Sequence, residues 1–253
     1  MMLRDTGQIH VAVVSGYNIT LVYNAIIKII GSPYKTRNII LGLLGTLLFA
    51  VVSGFEPPVV RAWVMGSMIS LSKYYGRKIP ALKVLLVTGL ILAVINPKYI
   101  YSLSFQLSFL ATLSLVMFES GVSKRLSKIF RSKNVFVDDL SATISAQVLI
   151  WPYLSYKFGQ VSLLSPVING LVLWTVPLAT VIGSVFLALG SLSSLLGGFL
   201  AIFVYLPLDF FVVIIEYFYG FEKFVVSWQA SVSFLLIYYL IALIIYVRGR
   251  DRQ

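Results

Sequence analysis

The chain has 253 residues, of which 59% are hydrophobic and only 11% charged, and its mean hydropathy is +0.94. This composition excludes a soluble domain, because a soluble fold of this length carries more charge and fewer long apolar runs. The absence of cysteine excludes a disulfide framework, and the single histidine, His10, excludes a multi-histidine metal centre. We therefore expect neither a metal ion nor another cofactor.

Long apolar runs recur along the whole chain and are continuous rather than alternating, which favours helices over a barrel. Read as membrane spans of about 16–25 residues, they predict an all-α membrane protein, with a single domain over residues 1–253 built as a bundle of about nine transmembrane helices. Proline and glycine are expected to break some of these helices. The predicted spans lie near residues 10–30, 38–53, 58–73, 81–96, 102–118, 141–158, 162–189, 196–219 and 231–247.

The distribution of basic residues predicts how these spans are oriented, within a net charge of +11. Most lysines and arginines fall in alternate connections, near residues 35–37, 73–83, 124–133 and 248–252. The opposite connections hold only Arg4, Lys98, Lys157 and Lys223. The positive-inside rule then places the N-terminus outside and the C-terminus in the cytoplasm, as an odd number of spans requires. A basic surface that also meets nucleic acid or anionic lipid explains the same excess of charge.

The first span contains HVAVVSGYNIT, in which Ser15 and Asn18 are three residues apart and share a helix face. Two interpretations stay open. The two polar side chains line a path through the membrane, or they hydrogen-bond to a neighbouring helix and only hold the bundle together.

The stretch GFEPPVVRAWVMGSM places Arg61 inside an apolar segment. A charge at that depth costs several kcal/mol unless it faces a bundle interior, a water-filled cavity or a partner. Pro57 and Pro58 precede it, where prolines can open a helix without losing a needed N–H, and we treat them as a structural hinge. Arg61 either lines a polar path or forms an ion pair with Glu56 or another acid that holds helices together.

The fifth span, SLSFQLSFLATLSLVMF, carries a hydroxyl stripe that includes Ser108, with Gln106 on the opposite side. An unpaired amide in a membrane is costly, so Gln106 is the stronger candidate for a functional residue. The stretch 119–140 is expected to be the one sizeable loop. Its basic half, Lys124–Lys133, resembles an amphipathic helix lying against anionic lipid.

Residues 141–189 combine helix-breaking residues with neutral amides. Pro152, Pro166 and Pro177 interrupt apolar sequence, and Gly159 is expected to break it near the outer surface. Irregular backbone at membrane depth is tolerated only when it is buried in protein or lines a cavity. The pattern therefore predicts a conduit or binding site, with Gly159 and Pro166 as hinges. The amides that would line it are Gln147, Gln160 and Asn169.

Four segments, HVAVVSGYN, SGFEPPVVRAWVM, SFQLSFLATLSLV and YKFGQVSLLSPVINGLVLWTVPL, occur in this order between about residues 10 and 180. Together they resemble the ComEC competence family, whose members are polytopic membrane channels that carry single-stranded DNA inward during natural transformation. One departure is Tyr17-Asn18, where the family usually has Leu-His after Ser-Gly. Many members also carry an OB-like domain and a metallo-β-lactamase-like nuclease domain. Neither is expected here, so the chain is expected to be the membrane-domain portion and not itself an enzyme.

The resemblance implies a channel in the bacterial inner membrane that passes single-stranded DNA into the cytoplasm. It also implies separate partners, namely a cytoplasmic motor ATPase and extracellular DNA-receptor or nuclease components, and a homo-oligomer is a further expectation. A DNA path must bind favourably enough to admit the strand and weakly enough to release it. Serines, amides and one or two arginines suit that demand. The expected lining is Arg61, Ser15, Asn18, Gln106, Ser108, Gln147, Gln160 and Asn169.

Two other classes of function would use some of the same residues. A secondary transporter of a small anion would use Arg61, with Asp209 or Glu216 as a proton site, but no inverted repeat is evident. An intramembrane enzyme would need a nucleophile with a base or a metal, for which His10 beside Ser15 gives thin support.

Overall fold

The computed structural model describes residues 16–31, 35–131, 135–162, 194–219 and 225–250, together with scattered positions between 164 and 190. Several residues named above lie outside the described part of the chain. They are Arg4, His10, Ser15, Lys133, Pro166, Asn169, Pro177 and Lys223, and with them most of the predicted span 162–189.

Helices dominate the described residues, which confirms the predicted all-α class at this level. The helices are α1 (Gly16–Ile30), α2 (Thr36–Val52), α3 (Pro57–Tyr74), α4 (Ala81–Ile95), α5 (Leu103–Ile129), α6 (Val135–Phe158), α7 (Ser194–Tyr219) and α8 (Val232–Arg250). A short 3-10 helix, Pro97–Tyr101, joins α4 to α5. Two short strands were not predicted. They are β1 (Gln160–Ser162) and β2 (Val225–Ser227), which pair antiparallel with Gln160 opposite Ser227.

The expected nine membrane spans are not confirmed. By length and composition, three described helices are apolar enough to cross a membrane, within Leu103–Ile129, Ala201–Phe218 and Val232–Gly249. Three shorter apolar helices cover Asn18–Ile30, Thr36–Val52 and Ala81–Ile95. A helix of 15 residues is about 22 Å long at 1.5 Å per residue, which is less than the roughly 30 Å of a hydrocarbon core. These findings support the assignment as a membrane protein. The number of spans stays a prediction.

The predicted loop over residues 119–140 is wrong for most of its length, because helix α5 continues to Ile129 and helix α6 already begins at Val135. Most of the basic segment therefore belongs to a long helix that begins in apolar sequence. The reason lies in composition, since Glu, Lys, Arg and Leu are all strong helix formers and no proline or glycine pair stops the helix before Ile129. The chain then turns at Phe130 and Arg131, and Arg131 adopts a positive φ of 48°.

The described residues divide into two compact units, one formed by His10–Ser108 with Val172–Val213 and the other by Phe109–Leu171 with Ile214–Gln253. In the first unit, α1, α2 and α3 pack around buried Ile19, Ala50 and Val59. Glycine permits the close approach of α1 and α2, because a Cβ on Gly42 would lie 2.7 Å from the Tyr23 ring and one on Gly45 would collide with Ile26.

Gly66 of α3 does not serve such a close approach. A Cβ at this position would meet no atom within 4 Å. Position 66 is therefore not a close helix crossing within the described residues.

The turn between α2 and α3 sets the start of α3. Gly54 has a φ of +75°, its N–H donates to the Val51 carbonyl at 3.0 Å, and the Phe55 N–H donates to the Ala50 carbonyl at 3.0 Å. This pair of hydrogen bonds is the Schellman arrangement that ends a helix at a left-handed residue. Helix α3 then begins at Pro57, where a missing N–H costs nothing. Arg61 consequently lies about one turn inside α3.

Pro152 does not break α6, contrary to expectation, because the helix runs through it from Val135 to Phe158. A proline has no N–H, so the carbonyl four residues earlier, that of Val148, lacks its usual helical donor. The Tyr238 hydroxyl of α8 donates to that carbonyl at 2.9 Å, and the Tyr239 hydroxyl donates to the Leu149 carbonyl at 3.0 Å. The Tyr238 hydroxyl thus replaces the hydrogen bond that Pro152 removes from α6, and the Tyr239 hydroxyl adds a second contact at the next carbonyl.

Residues at the end of α6 bind the segment that leads into α8. Gly159 ends α6 with a φ of +69°, and the strand pair β1–β2 follows directly. The Ser155 hydroxyl donates to the Trp228 carbonyl, and the Ala230 N–H donates to the Ser155 Oγ at 3.2 Å. The C-terminal end of α6 and the N-terminal end of α8 therefore lie side by side in the second unit.

Candidate functional site

Arg61 is a partly buried cation whose near surroundings are apolar. Its neighbours Val59 and Met65 on α3 are buried. The Arg61 Nε donates to the Ser108 hydroxyl at 2.6 Å, which joins α3 to α5 within the first unit. The Arg61 Nη1 contacts the Met65 sulfur at 3.4 Å, one turn further along the same helix. Both acceptors are neutral, so neither balances the charge.

The ion pair between Arg61 and Glu56 that the sequence left open is not formed. The Glu56 Oε2 is buried and accepts no hydrogen bond, and within the described residues no carboxylate pairs with Arg61. The spacing explains this, because five residues along a helix correspond to about 140° of rotation, whereas Met65 at i+4 shares the face of Arg61.

The guanidinium retains capacity to bind an anion. A guanidinium carries five N–H donors and is always protonated. The described contacts use its Nε–H and one terminal N–H, and both go to neutral acceptors. A desolvated charge without a counter-ion is costly, so an oxyanion that reached Arg61 would gain both charge neutralisation and two-point hydrogen bonding.

The other predicted polar residues are placed differently. Asn18 is 3% exposed in α1, and its Oδ1 accepts no hydrogen bond from the described residues. The Gln106 Nε2 donates to the Ile100 carbonyl at 2.9 Å, so this amide donor is used locally at the connection that precedes α5. Gln147 is buried in α6 and Gln160 is the first residue of β1, both in the second unit.

Among the predicted lining residues, the structure therefore brings Arg61 and Ser108 into contact. That the other residues line the same path stays a prediction. Gly159 does occupy a left-handed turn at a helix end, which suits the predicted hinge. Pro57 and Pro58 begin α3 as expected.

Sequence reasoning missed two buried polar groups, one in each unit. Asn38 is 2% exposed near the start of α2, and it stands in sequence between the polar stretch Lys35–Arg37 and the apolar run that follows, where nothing marks it as buried. The Trp151 Nε1 of α6 is a buried donor with no acceptor among the described residues, one turn after Gln147. The i, i+4 spacing of Gln147 and Trp151 was the available signal.

The two carboxylates proposed for a proton site lie on the surface of α7. Asp209 and Glu216 are both exposed, and neither forms an ion pair with Arg61. Among the residues that the structure describes, no three His, Cys, Asp or Glu side chains cluster so that they could hold a metal ion.

Long apolar helices and an uncompensated arginine in an apolar helix group are typical of membrane proteins that handle polar or anionic cargo. The family model described as Competence protein matches residues 1–252. The chain belongs to this family, and the resemblance to ComEC-type competence proteins is confirmed.

Two curated relatives are similar to the chain. An uncharacterized protein of Aquifex aeolicus (strain VF5) is 33% identical over 175 residues, which is 63% of this chain and 42% of the relative. The ComE operon protein 3 of Bacillus subtilis (strain 168) is 24% identical over 170 residues, which is 66% of this chain and 21% of the relative. The alignments thus cover less than half of either relative. No solved structure matches the chain.

Proposed function

We propose that this chain forms the membrane part of a conduit that passes single-stranded DNA into the cytoplasm during natural transformation. Membership of the competence family supports a role in DNA uptake. The observation that carries the mechanism is the Arg61–Ser108 contact, in which a guanidinium in an apolar helix group has neutral neighbours and no acidic partner among the described residues.

The chemistry of the proposed site suits a phosphodiester. Arginine binds phosphate through two parallel N–H···O bonds, and it does so without reading the base. Ser108 accepts from the Nε–H and Met65 from one N–H of Nη1, which leaves the other N–H of Nη1 and both of Nη2 to meet the strand. A single cation binds each phosphate only transiently, whereas a row of lysines would hold a polyanion in place.

In this proposal the chain has nine spans, with the N-terminus outside and the C-terminus in the cytoplasm of a bacterial inner membrane. The strand pair β1–β2 supports this topology, because it places the end of α6 beside the start of α8. An even number of crossings must then separate Ser162 from Val225. Since α7 is long enough to cross once, the segment 162–189 would supply the second crossing.

The proposal assigns no catalytic step to this chain. It assigns pulling of the strand to a separate motor ATPase, and capture and processing of DNA to extracellular receptor and nuclease components. The other lining residues of the proposal are Asn18, Gln106, Gln147 and Gln160, with Ser15 and Asn169 in the part of the chain outside the described residues.

The test is protection of labelled single-stranded DNA in proteoliposomes that contain the purified chain. The strand is offered outside, external nuclease is added, and the protected label is counted. Arg61→Gln removes the charge at the site, and Lys83→Gln removes an equal charge from an exposed position on α4. We expect wild type and Lys83→Gln to protect label equally and Arg61→Gln to lose about tenfold, as expected for one charge-assisted hydrogen-bonded contact.

Duplex DNA and protein-free vesicles give the background for this measurement. Equal protection by wild type and Arg61→Gln would remove Arg61 from the path. Absence of protection even with a motor and the receptor components present would contradict the conduit. Uptake of a small anion that depends on Asp209 or Glu216 under those conditions would favour the transporter alternative.

A further inference from the structure

A concave surface at the C-terminal end of α3 lies apart from the Arg61 site. It is a shallow depression, open to the surface, with a volume of about 590 Å³, within the roughly 300–1,000 Å³ range of small-molecule sites. We call it the α3 groove, and its lining residues are Met68, Leu71, Ser72, Tyr75, Arg77 and Ile79. All six belong to one continuous stretch of the first unit.

The α3 groove is built by the way the chain reverses at the end of the helix. Gly76 has a φ of +64°, its N–H donates to the Lys73 carbonyl at 3.0 Å, and the Arg77 N–H donates to the Ser72 carbonyl at 2.8 Å. This second Schellman turn fixes the backbone of Arg77 against the last turn of α3. Ile79, two residues further along, therefore lines the same cavity as Leu71.

The groove combines apolar walls with a single cation. Leu71, Tyr75 and Ile79 are 44%, 71% and 41% exposed, which is a large apolar surface to leave without a partner at the end of a helix. Arg77 is the one charged residue that lines the groove, while Lys73 and Lys78 lie beside it in sequence. Tyrosines followed by basic residues are typical of the membrane–water interface.

We propose that the α3 groove binds an anionic phospholipid. An acyl chain lies against Leu71 and Ile79, and the phosphate accepts hydrogen bonds from the Arg77 guanidinium. Arginine is the residue best suited to such a headgroup, because its planar fork matches two phosphate oxygens. Basic residues clustered next to a membrane helix, as Lys73, Arg77 and Lys78 are in this sequence, attract anionic headgroups.

The walls of the groove favour a lipid over a nucleic acid as the occupant. A sequence-independent nucleic-acid groove follows the strand with several cations and aromatic platforms for the bases. The α3 groove offers one lining cation, and its other side chains include Met68, Leu71 and Ile79, which have nothing to donate to a sugar or phosphate. An acyl chain is the ligand that gains from such walls.

The test measures lipid retention by native mass spectrometry on the full chain in detergent. Phosphatidylglycerol and phosphatidylcholine of equal chain length are titrated against wild type, Arg77→Gln and Lys78→Gln. The two substitutions remove the same charge one residue apart, and only Arg77 lines the groove. We expect Arg77→Gln to weaken phosphatidylglycerol binding about tenfold and Lys78→Gln to weaken it less than about twofold.

A third variant, Ile79→Ala, tests whether the apolar wall of the α3 groove contacts the acyl chain. Ile79 is 41% exposed, so truncation leaves the fold intact while it removes acyl contact. It should weaken both lipids alike, whereas Arg77→Gln should abolish only the preference for phosphatidylglycerol. Equal losses in Arg77→Gln and Lys78→Gln would mean diffuse attraction and would overturn the site. Displacement of bound lipid by inorganic phosphate or by a short single-stranded oligonucleotide would assign Arg77 to that ligand instead and overturn the lipid proposal.

Discussion

Arg61 is a charge that the fold holds without a balancing acid among the described residues. Its acceptors are the Ser108 hydroxyl and the Met65 sulfur, and Glu56 does not reach it. A buried charge that only stabilised the bundle would be expected to have a well-placed carboxylate. The arrangement instead resembles a functional site, in which the Arg61 guanidinium is available to bind an anion and the unpaired charge lowers the stability of the fold.

The first prediction follows from that cost. Arg61→Met replaces the guanidinium with an apolar side chain of similar length, so we expect the melting temperature of the purified chain in detergent to stay unchanged or rise. A stabilisation of about 1 kcal/mol would agree with other replacements of buried charge by apolar residues. The same variant should fail to protect single-stranded DNA in proteoliposomes.

Thermal unfolding monitored by circular dichroism gives the first quantity, and the nuclease-protection assay gives the second. A melting temperature that falls by several degrees while DNA protection persists would make Arg61 a structural residue and would refute its proposed role.

The residues of the site differ in how far the sequence could identify them. Arg61 and the prolines before it were predictable because the signal is local, a charge in an apolar run and prolines at a helix start. Its contact with Ser108 joins residues 47 positions apart, and neither periodicity nor composition contains that pairing. Gln106 was placed on the correct helix, but its donor bonds to the Ile100 carbonyl at the end of the preceding turn.

At the scale of helices, apolar runs predicted most element positions to within a few residues, and the errors have identifiable causes. The helix α5 is longer than its apolar run because helix-forming charged residues extend it to Ile129. Pro152 was expected to interrupt α6, and the compensation comes from α8, about 90 residues away. A local rule about proline cannot anticipate a donor from another helix.

The second prediction tests that compensation. Tyr238→Phe leaves the Val148 carbonyl without its hydroxyl donor, so we expect a loss of about 1–3 kcal/mol of stability. Pro152→Ala restores an N–H for the same carbonyl. In the Pro152→Ala background, Tyr238→Phe should therefore cost less than in wild type.

The coupling free energy between positions 152 and 238 is measured from the unfolding of the four proteins of this double-mutant cycle in mixed detergent micelles. The control is the same cycle with Tyr205→Phe in place of Tyr238→Phe, because Tyr205 is an exposed tyrosine of α7. Additive effects of Pro152→Ala and Tyr238→Phe would show that the Tyr238 hydroxyl does not replace the missing N–H.

For the whole molecule, the short strands constrain the topology more than the apolar runs do. Run counting left the segment 162–189 ambiguous, because it is long enough to cross once with a strong tilt or to be broken. The pairing of Gln160 with Ser227 brings the two ends of the region between α6 and α8 to one place. Three-residue strands lie below what periodicity can detect, which is why the sequence did not predict them.

The third prediction uses the natural absence of cysteine, which allows single cysteines to be introduced without further changes. Tyr101→Cys and Gln229→Cys lie at exposed sites before α5 and before α8, and Tyr75→Cys and Phe130→Cys lie at exposed sites after α3 and α5. With nine spans and the N-terminus outside, a membrane-impermeant maleimide should label the first pair in intact cells. It should label the second pair only after permeabilisation.

The pair Tyr101→Cys and Gln229→Cys reports directly on the segment 162–189. In the proposed nine-span topology the chain crosses with α5, α6 and α7 between these two sites, so they share a side only if 162–189 adds an odd number of crossings. Labelling of Tyr101→Cys alone in intact cells would remove that crossing and the nine-span topology with it. Labelling of both, with Tyr75→Cys and Phe130→Cys protected, would require an even number of crossings between α6 and α8, as the strand pair β1–β2 demands.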